Sequence, residues 1–213
     1  LLGFAFMDPE KLLAAKAEFA KEKGIEPCSN TLCKCSSCTC GPGCTCMVSP
    51  EITCDPCVEF KAKKVAAANA ERLEAARTFF LEKCKPKWPE VPGVTAAELA
   101  ELLKGPEPPL LVDCRGAAEM AVSEIKGAVP MDLEAQSKEA RPIVAYCGIG
   151  GRSGNFCAEI LKLNPEATVK NFELSLIEWC HIGGELVDPE TKEKTTKVHT
   201  FNEAFAAMYP LSG

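Results

Sequence analysis

The chain has 213 residues, 46% of them hydrophobic and 7% aromatic, with a formal net charge of −6. That composition supplies an ordinary globular core, and an acidic chain without a basic stripe excludes nucleic acid as an expected partner. No apolar run approaches the roughly 20 residues that a bilayer requires, so no membrane-spanning segment is expected.

The opening residues 1–7 are apolar and read as an arm packing on the protein itself, or as the remnant of a removed presequence. Asp8-Pro9-Glu10 then starts a helix, because Asp caps free N–H groups and Pro suits the first turn. Leu12, Leu13, Ala17 and Phe19 follow among Lys and Glu, and Gly24 is a natural stop. A short amphipathic helix is expected over 10–23, within an N-terminal section 1–27.

Residues 28–57 hold nine of the fourteen cysteines, Cys28, Cys33, Cys35, Cys38, Cys40, Cys44, Cys46, Cys54 and Cys57. The residues between them are Ser, Thr, Lys, Gly and Pro, so hydrophobic collapse cannot fold the segment. One reading is a disulfide knot. Against it, nine is odd and Cys-x-Cys neighbours are badly placed to bridge each other. The other is a thiolate cluster on a soft metal, with Zn(II) ahead of Cu(I) or Cd(II). Nine thiolates serve about three tetrahedral ions if three sulfurs bridge. The usual iron–sulfur spacings are absent.

Asp55-Pro56 repeats the cap-and-proline start. Residues 58–84 are rich in Ala, Lys, Glu and Leu and read as one long helix, with a Pro-containing linker to residue 90. From residue 91 to 213 helices and strands alternate. Thr95-Ala96-Ala97-Glu98 is a capping box opening a helix to about Lys104. Apolar strands are expected at 109–114, 128–131, 143–146 and 168–172, with helices at 153–163 and 175–180. Alternation of this kind gives an α/β fold, a parallel sheet covered on both faces.

The chemistry concentrates where the strand at 143–146 runs into Cys147-Gly148-Ile149-Gly150-Gly151-Arg152-Ser153. Ligands of such sheets bind beyond the carboxyl ends of strands. Three glycines let consecutive N–H groups turn inward as an anion nest, and the next helix adds its positive end. A cysteine at the base of that nest is pushed toward thiolate, and Arg152 adds charge-assisted hydrogen bonds.

In order and spacing, Leu111-Val112-Asp113-Cys114-Arg115, Glu119, Ile125-Lys126-Gly127-Ala128-Val129-Pro130 and the loop from Cys147 to Ser153 resemble the rhodanese family. Asn171-Phe172-Glu173, Ser175, Trp179, Pro189 and Val198-His199 resemble the tail of its single-domain members. The loop carries four residues between Cys147 and Arg152; in the family this length goes with sulfur transfer, while the related phosphatase loop has five. The resemblance covers about 91–199. It implies that Cys147 takes a sulfane sulfur from a small donor such as thiosulfate, holds it as a persulfide, and yields it to a thiophilic acceptor. Gly148, Ile149, Gly150, Gly151 and Ser153 would bind the anion, Arg152 would assist, and Asp113 with Arg115 would be a supporting pair. Two positions depart from the pattern: Ser123-Glu124 stands before Ile125 in place of Gly-His, and Leu174 in place of Gly before Ser175. Cys38-Thr39-Cys40-Gly41-Pro42-Gly43-Cys44-Thr45-Cys46 resembles metallothionein, which implies a metal-binding module. Cys114, Cys157 and Cys180 read as small buried residues, and His181 and His199 as structural.

Together these readings expect a rhodanese-like parallel sheet flanked by helices and preceded by helices and an irregular metal-stapled segment. The expected function is a sulfurtransferase fused to a soft-metal module, in the cytoplasm or an organelle stroma, a plastid included. A non-catalytic docking subunit is the alternative, with the N-terminal arm or helix 58–84 as its contact. A thiol-based metal or metalloid reductase is a third, and would require a resolving cysteine within reach of Cys147.

Overall fold

A computed structural model of the chain describes residues 9–24 and 55–211. The chain divides into two compact units, the first ending at Ala67 and the second running from Ala68 to Ser212. In the first, helix α1 spans Pro9–Lys23 and stops where Gly24 takes φ +66°, the left-handed conformation that ends helices. The expected arm at 1–7 lies outside the described residues. So do Cys28, Cys33, Cys35, Cys38, Cys40, Cys44, Cys46 and Cys54, and the side chain of Cys57.

Helix α2 (Asp55–Phe79) starts at the Asp55-Pro56 signal, ahead of the Ala-rich stretch expected from residue 58, and continues as one π turn (Phe80–Cys84) and a 3-10 turn (Lys85–Lys87). Pro86 offers no N–H to extend the helix. Leu73, Ala76, Phe80 and Cys84 recur at helical spacing and enter the core of the second unit. The apolar face of this part of the helix is thus used within its own unit.

The rest of the second unit follows in chain order as β1 (Gly93–Val94), α3 (Ala96–Lys104), β2 (Leu110–Asp113), α4 (Ala117–Met120), β3 (Glu124–Ile125), β4 (Val129–Pro130), α5 (Leu133–Gln136), β5 (Ile143–Tyr146), α6 (Gly151–Leu163), β6 (Val169–Phe172), α7 (Ser175–His181), β7 (Leu186–Val187), β8 (Lys194–Thr195) and α8 (Glu203–Ala206). Five strands form a parallel sheet in the order β1-β6-β5-β2-β4; β3, β7 and β8 form a small antiparallel sheet. The capping box opens α3 as its residues require: Thr95 Oγ1 accepts from the Glu98 N–H at 3.3 Å, and the Glu98 carboxylate accepts from the Thr95 N–H at 2.8 Å.

All four residues of the central strand β5 are buried, as a strand covered on both faces requires. Side chains alternate along it. Ile143 and Ala145 join Val112, Val169 and, from α6, Phe156, Cys157 and Ile160. Val144 and Tyr146 join Leu111, Phe172, Leu99 and Ile177 with the end of α2.

Phe80 is 2% exposed, and its ring stands 2.8 Å from where a Cβ on Gly150 would be. The π turn is therefore wedged against the loop that follows β5. Phe80→Ala is expected to cost about 3–5 kcal/mol, read as a lower denaturation midpoint in urea. Phe201→Ala, truncating an exposed ring, should change the midpoint far less.

Candidate active site

Cys147 directly follows β5 and is 2% exposed. Its Sγ accepts a hydrogen bond from the Gly150 N–H at 3.2 Å, and the N–H groups of Ile149 and Ser153 also donate toward it. The Ser153 hydroxyl lies 3.6 Å away. It stands closer, 2.7 Å, to Asn171 Oδ1, so its single proton is shared between an amide oxygen and the sulfur. Burial pushes the Cys147 thiol up; the donors of Ser153, the charge of Arg152 and the Ile149 N–H outweigh it and hold the thiol below its ordinary value.

The loop can turn its amides inward because its carbonyls find donors outside. Cys147 O accepts from Leu176 N and Gly148 O from Ile177 N, both at 3.3 Å. Gly150 O accepts from Asn171 Nδ2 at 2.9 Å. The Cys147 N–H donates to Ser175 Oγ at 3.1 Å, and that hydroxyl donates to Phe172 O at 2.7 Å. Gly150 takes φ +86°, and any side chain there would also strike Phe80. Leu174 takes φ +56°, so a bulky residue occupies a left-handed backbone that a glycine adopts freely; its side chain is buried in the core. At the other departure, the Ser123 hydroxyl is buried without a hydrogen-bond partner among the described residues, and Glu124 pairs with Lys192 at 2.9 Å.

Arg152 acts on the sulfur through its charge and is anchored by a carboxylate. It grips Glu119 with two bonds, 2.5 and 2.8 Å, and its guanidinium lies 5.5 Å from the Phe201 ring centroid. Burial works against the Glu119 charge, but Arg152 and the Gly116 N–H prevail and hold the carboxyl below its ordinary value. This pairing joins α4 to α6, and nothing local in the sequence announces it.

Asp113 and Arg115 form a buried ion pair at 2.6 Å. The Tyr146 hydroxyl donates to Asp113 at 2.6 Å, and Arg115 donates to Ser123 O at 2.6 Å. The pair thus ties the ends of β2 and β5 to the turn before β3 without touching the sulfur.

Above Cys147 lies a cavity of about 710 Å³. Loop residues Gly148, Ile149, Gly151 and Arg152 line its floor; Phe79, Trp88, Phe201 and Phe205 supply aromatic walls. His199, expected to be structural, borders it as well, as do Cys84 and Cys114. His181 bonds Met208 O at 2.8 Å. Among the described residues no group of three or more His, Cys, Asp and Glu could hold a metal ion, and no helix is long and apolar enough to cross a membrane.

The rate of Cys147 alkylation by iodoacetamide should rise with pH through a midpoint below the ordinary thiol range, since only the thiolate reacts. Ser153→Ala, which removes one donor to the sulfur, should move that midpoint up.

The family model of the Rhodanese-like domain matches residues 95–181. Among solved structures, the chain is similar to a rhodanese-related protein from Thermoplasma volcanium, at 18% identity and TM-score 0.38, covering 45% of this chain and 97% of that one. It is similar to a rhodanese-like domain protein from Staphylococcus aureus at 23% identity and TM-score 0.37, covering 42% and 91%. A thiosulfate sulfurtransferase from Pseudomonas aeruginosa is similar at 18% identity and TM-score 0.43, covering 68% of this chain and 26% of that one. No curated protein matches the chain. The chain carries a rhodanese-like domain at residues 95–181, a parallel-sheet α/β fold flanked by helices, with further helices before it.

Proposed function

We propose that the chain is a sulfurtransferase that carries sulfane sulfur on Cys147. The observation that carries this reading is a buried sulfur that accepts from the loop N–H groups and forms the floor of a cavity. A thiolate so held attacks the outer sulfur of thiosulfate. The Cys147 Sγ–S bond forms, the donor's S–S bond breaks, and sulfite leaves with the electron pair. The persulfide anion remains among the same amides. A thiophilic acceptor then attacks the outer sulfur and returns Cys147 to thiolate. This is covalent catalysis in two steps.

The positive end of α6, a 13-residue helix, faces the loop and favours an anionic donor. A cavity of about 710 Å³ with aromatic walls exceeds what cyanide needs. It suits an organic thiol as acceptor, since apolar pockets of this size hold drug-sized molecules. An open cavity above a poised sulfur also favours turnover over the docking-subunit reading. Thiosulfate and cyanide should give thiocyanate with the full chain, and Cys147→Ser should give none above background. Wild-type protein without turnover, and without a persulfide on Cys147, would overturn the proposal.

The same proposal assigns Cys28, Cys33, Cys35, Cys38, Cys40, Cys44, Cys46, Cys54 and Cys57 to a soft-metal thiolate module, on the chemistry of that donor set. Its compartment would be reducing, the cytoplasm or an organelle stroma. Elemental analysis of protein purified without chelator should find about three ions of Zn(II), Cu(I) or Cd(II) per chain. Metal-free protein with paired cysteines would establish the disulfide reading instead.

A further inference from the structure

Cys84 belongs to none of the motifs singled out in the sequence, and it comes from the helix that precedes the matched domain. It lines the same cavity as Cys147. Its Sγ lies 3.4 Å from where a Cβ on Gly151 would be, beside the reactive loop. Phe80, the first residue of the same π turn, abuts Gly150. The turn thus holds its last residue, Cys84, against the rim of the nest, and π turns recur at functional positions.

We propose that Cys84 is a second sulfur carrier, which takes the sulfane sulfur from Cys147 within the cavity and presents it to the acceptor. This rests on the sulfurtransferase reading of Cys147.

The chemistry balances without an oxidant or reductant. The Cys84 thiol gives its proton to the outer sulfur of the Cys147 persulfide anion. The resulting Cys84 thiolate attacks that sulfur. A Cys84 Sγ–S bond forms, the Cys147 Sγ–S bond breaks, and the electron pair stays on Cys147 Sγ among its amides. The products are a Cys84 persulfide and the Cys147 thiolate. The direction of flow follows from the two sulfurs. Burial and the neighbouring Cys147 charge push the Cys84 thiol up, with Lys87 opposing; Cys147 is held low. A low-pKa thiolate leaves readily, and a thiolate of higher pKa is the stronger nucleophile.

The other cysteines of the unit serve less well. Cys114 borders the cavity, but burial and the Cys147 charge push its thiol far beyond the titrating range. Burial pushes Cys157 to about 12 and Cys180 to about 11, and neither is among the cavity's lining residues.

The test is a single turnover of the full chain with one equivalent of thiosulfate, quenched at intervals by alkylation. Peptides are then mapped by mass for the added sulfur. The expected result is sulfur on Cys147 first and on Cys84 next. In Cys84→Ser and Cys84→Ala the sulfur should stay on Cys147, and its delivery to an added organic thiol should slow by about tenfold or more, as when a positioned reactant is removed. Sulfur that reaches Cys147 but never Cys84 in the wild-type chain overturns the relay and leaves the sulfurtransferase reading intact. Sulfur that passes to Cys114 or into residues 28–57 without visiting Cys84 does the same. A chain in which no sulfur reaches Cys147 overturns both. The wild-type time course decides the matter even if both variants misfold.

Discussion

A sulfur anion sealed from water is stable only where N–H and O–H groups replace the solvent it has lost. That requirement organises the second unit. Cys147 stands at the carboxyl end of the central parallel strand, and the chain after it must curl tightly enough to aim its amides back at one atom. Each amide turned inward turns a carbonyl outward. The first residues of α7 and the Asn171 side chain on β6 supply the donors those carbonyls need. The nest is therefore built from two consecutive strand-to-helix turns.

Two ion pairs hold the surroundings in register, and they are not equivalent. Asp113 and Arg115 are sealed in the interior with Tyr146 and the Ser123 carbonyl as further partners. A buried pair of this kind contributes little net stability compared with apolar packing, yet losing one partner strands the other charge. Its effect is to fix where β2 ends relative to β5. Glu119 and Arg152 sit nearer solvent, with Arg152 41% exposed. Their two-point grip fixes the start of α6, hence the direction of the helix dipole beneath the loop. With its charge spread toward Glu119, Arg152 acts on Cys147 as a field more than as a ligand.

Much of this was legible in the sequence. The Thr95 capping box, the helix beginning at Pro9, the three four-residue strands β2, β5 and β6, the two-residue β4 inside the expected 128–131, and the Cys147 loop each rest on local rules, and local rules survive folding. Long-range contacts were not legible. The glycines of the loop read as freedom for an anion nest, but Gly150 and Gly151 also make room for Phe80 and Cys84 from a helix more than sixty residues earlier. No spacing in the sequence signals that approach. Glu119 appeared only as one position of a resemblance, because its partner Arg152 lies 33 residues away. The short strands β1, β3, β7 and β8, of two residues each, carry too little periodicity to register. Leu174 read as a departure, and its left-handed φ shows the turn persisting with a leucine at some backbone strain.

The cavity gives the flanking segments their meaning. Its floor comes from the matched domain, but Phe79, Cys84, Lys87 and Trp88 precede residue 95, and His199, Phe201, Phe205 and Tyr209 follow residue 181. Phe79 and Phe205 meet edge to face at 5.4 Å, and Phe201 and Phe205 stand 5.9 Å apart. Asn69 and Arg72 on α2 bind the backbone of residues 206–211. The two extensions are thus fastened to each other as well as to the sheet. A nest for a sulfur anion needs only the strand, the loop and the two helices behind it. On the sulfurtransferase reading proposed above, selection of the molecule that delivers or collects the sulfur would fall to the walls, to which the extensions contribute. On that reading the sulfur and much of the surface that would choose its partner come from different stretches of sequence, so either could change while the other stays in place.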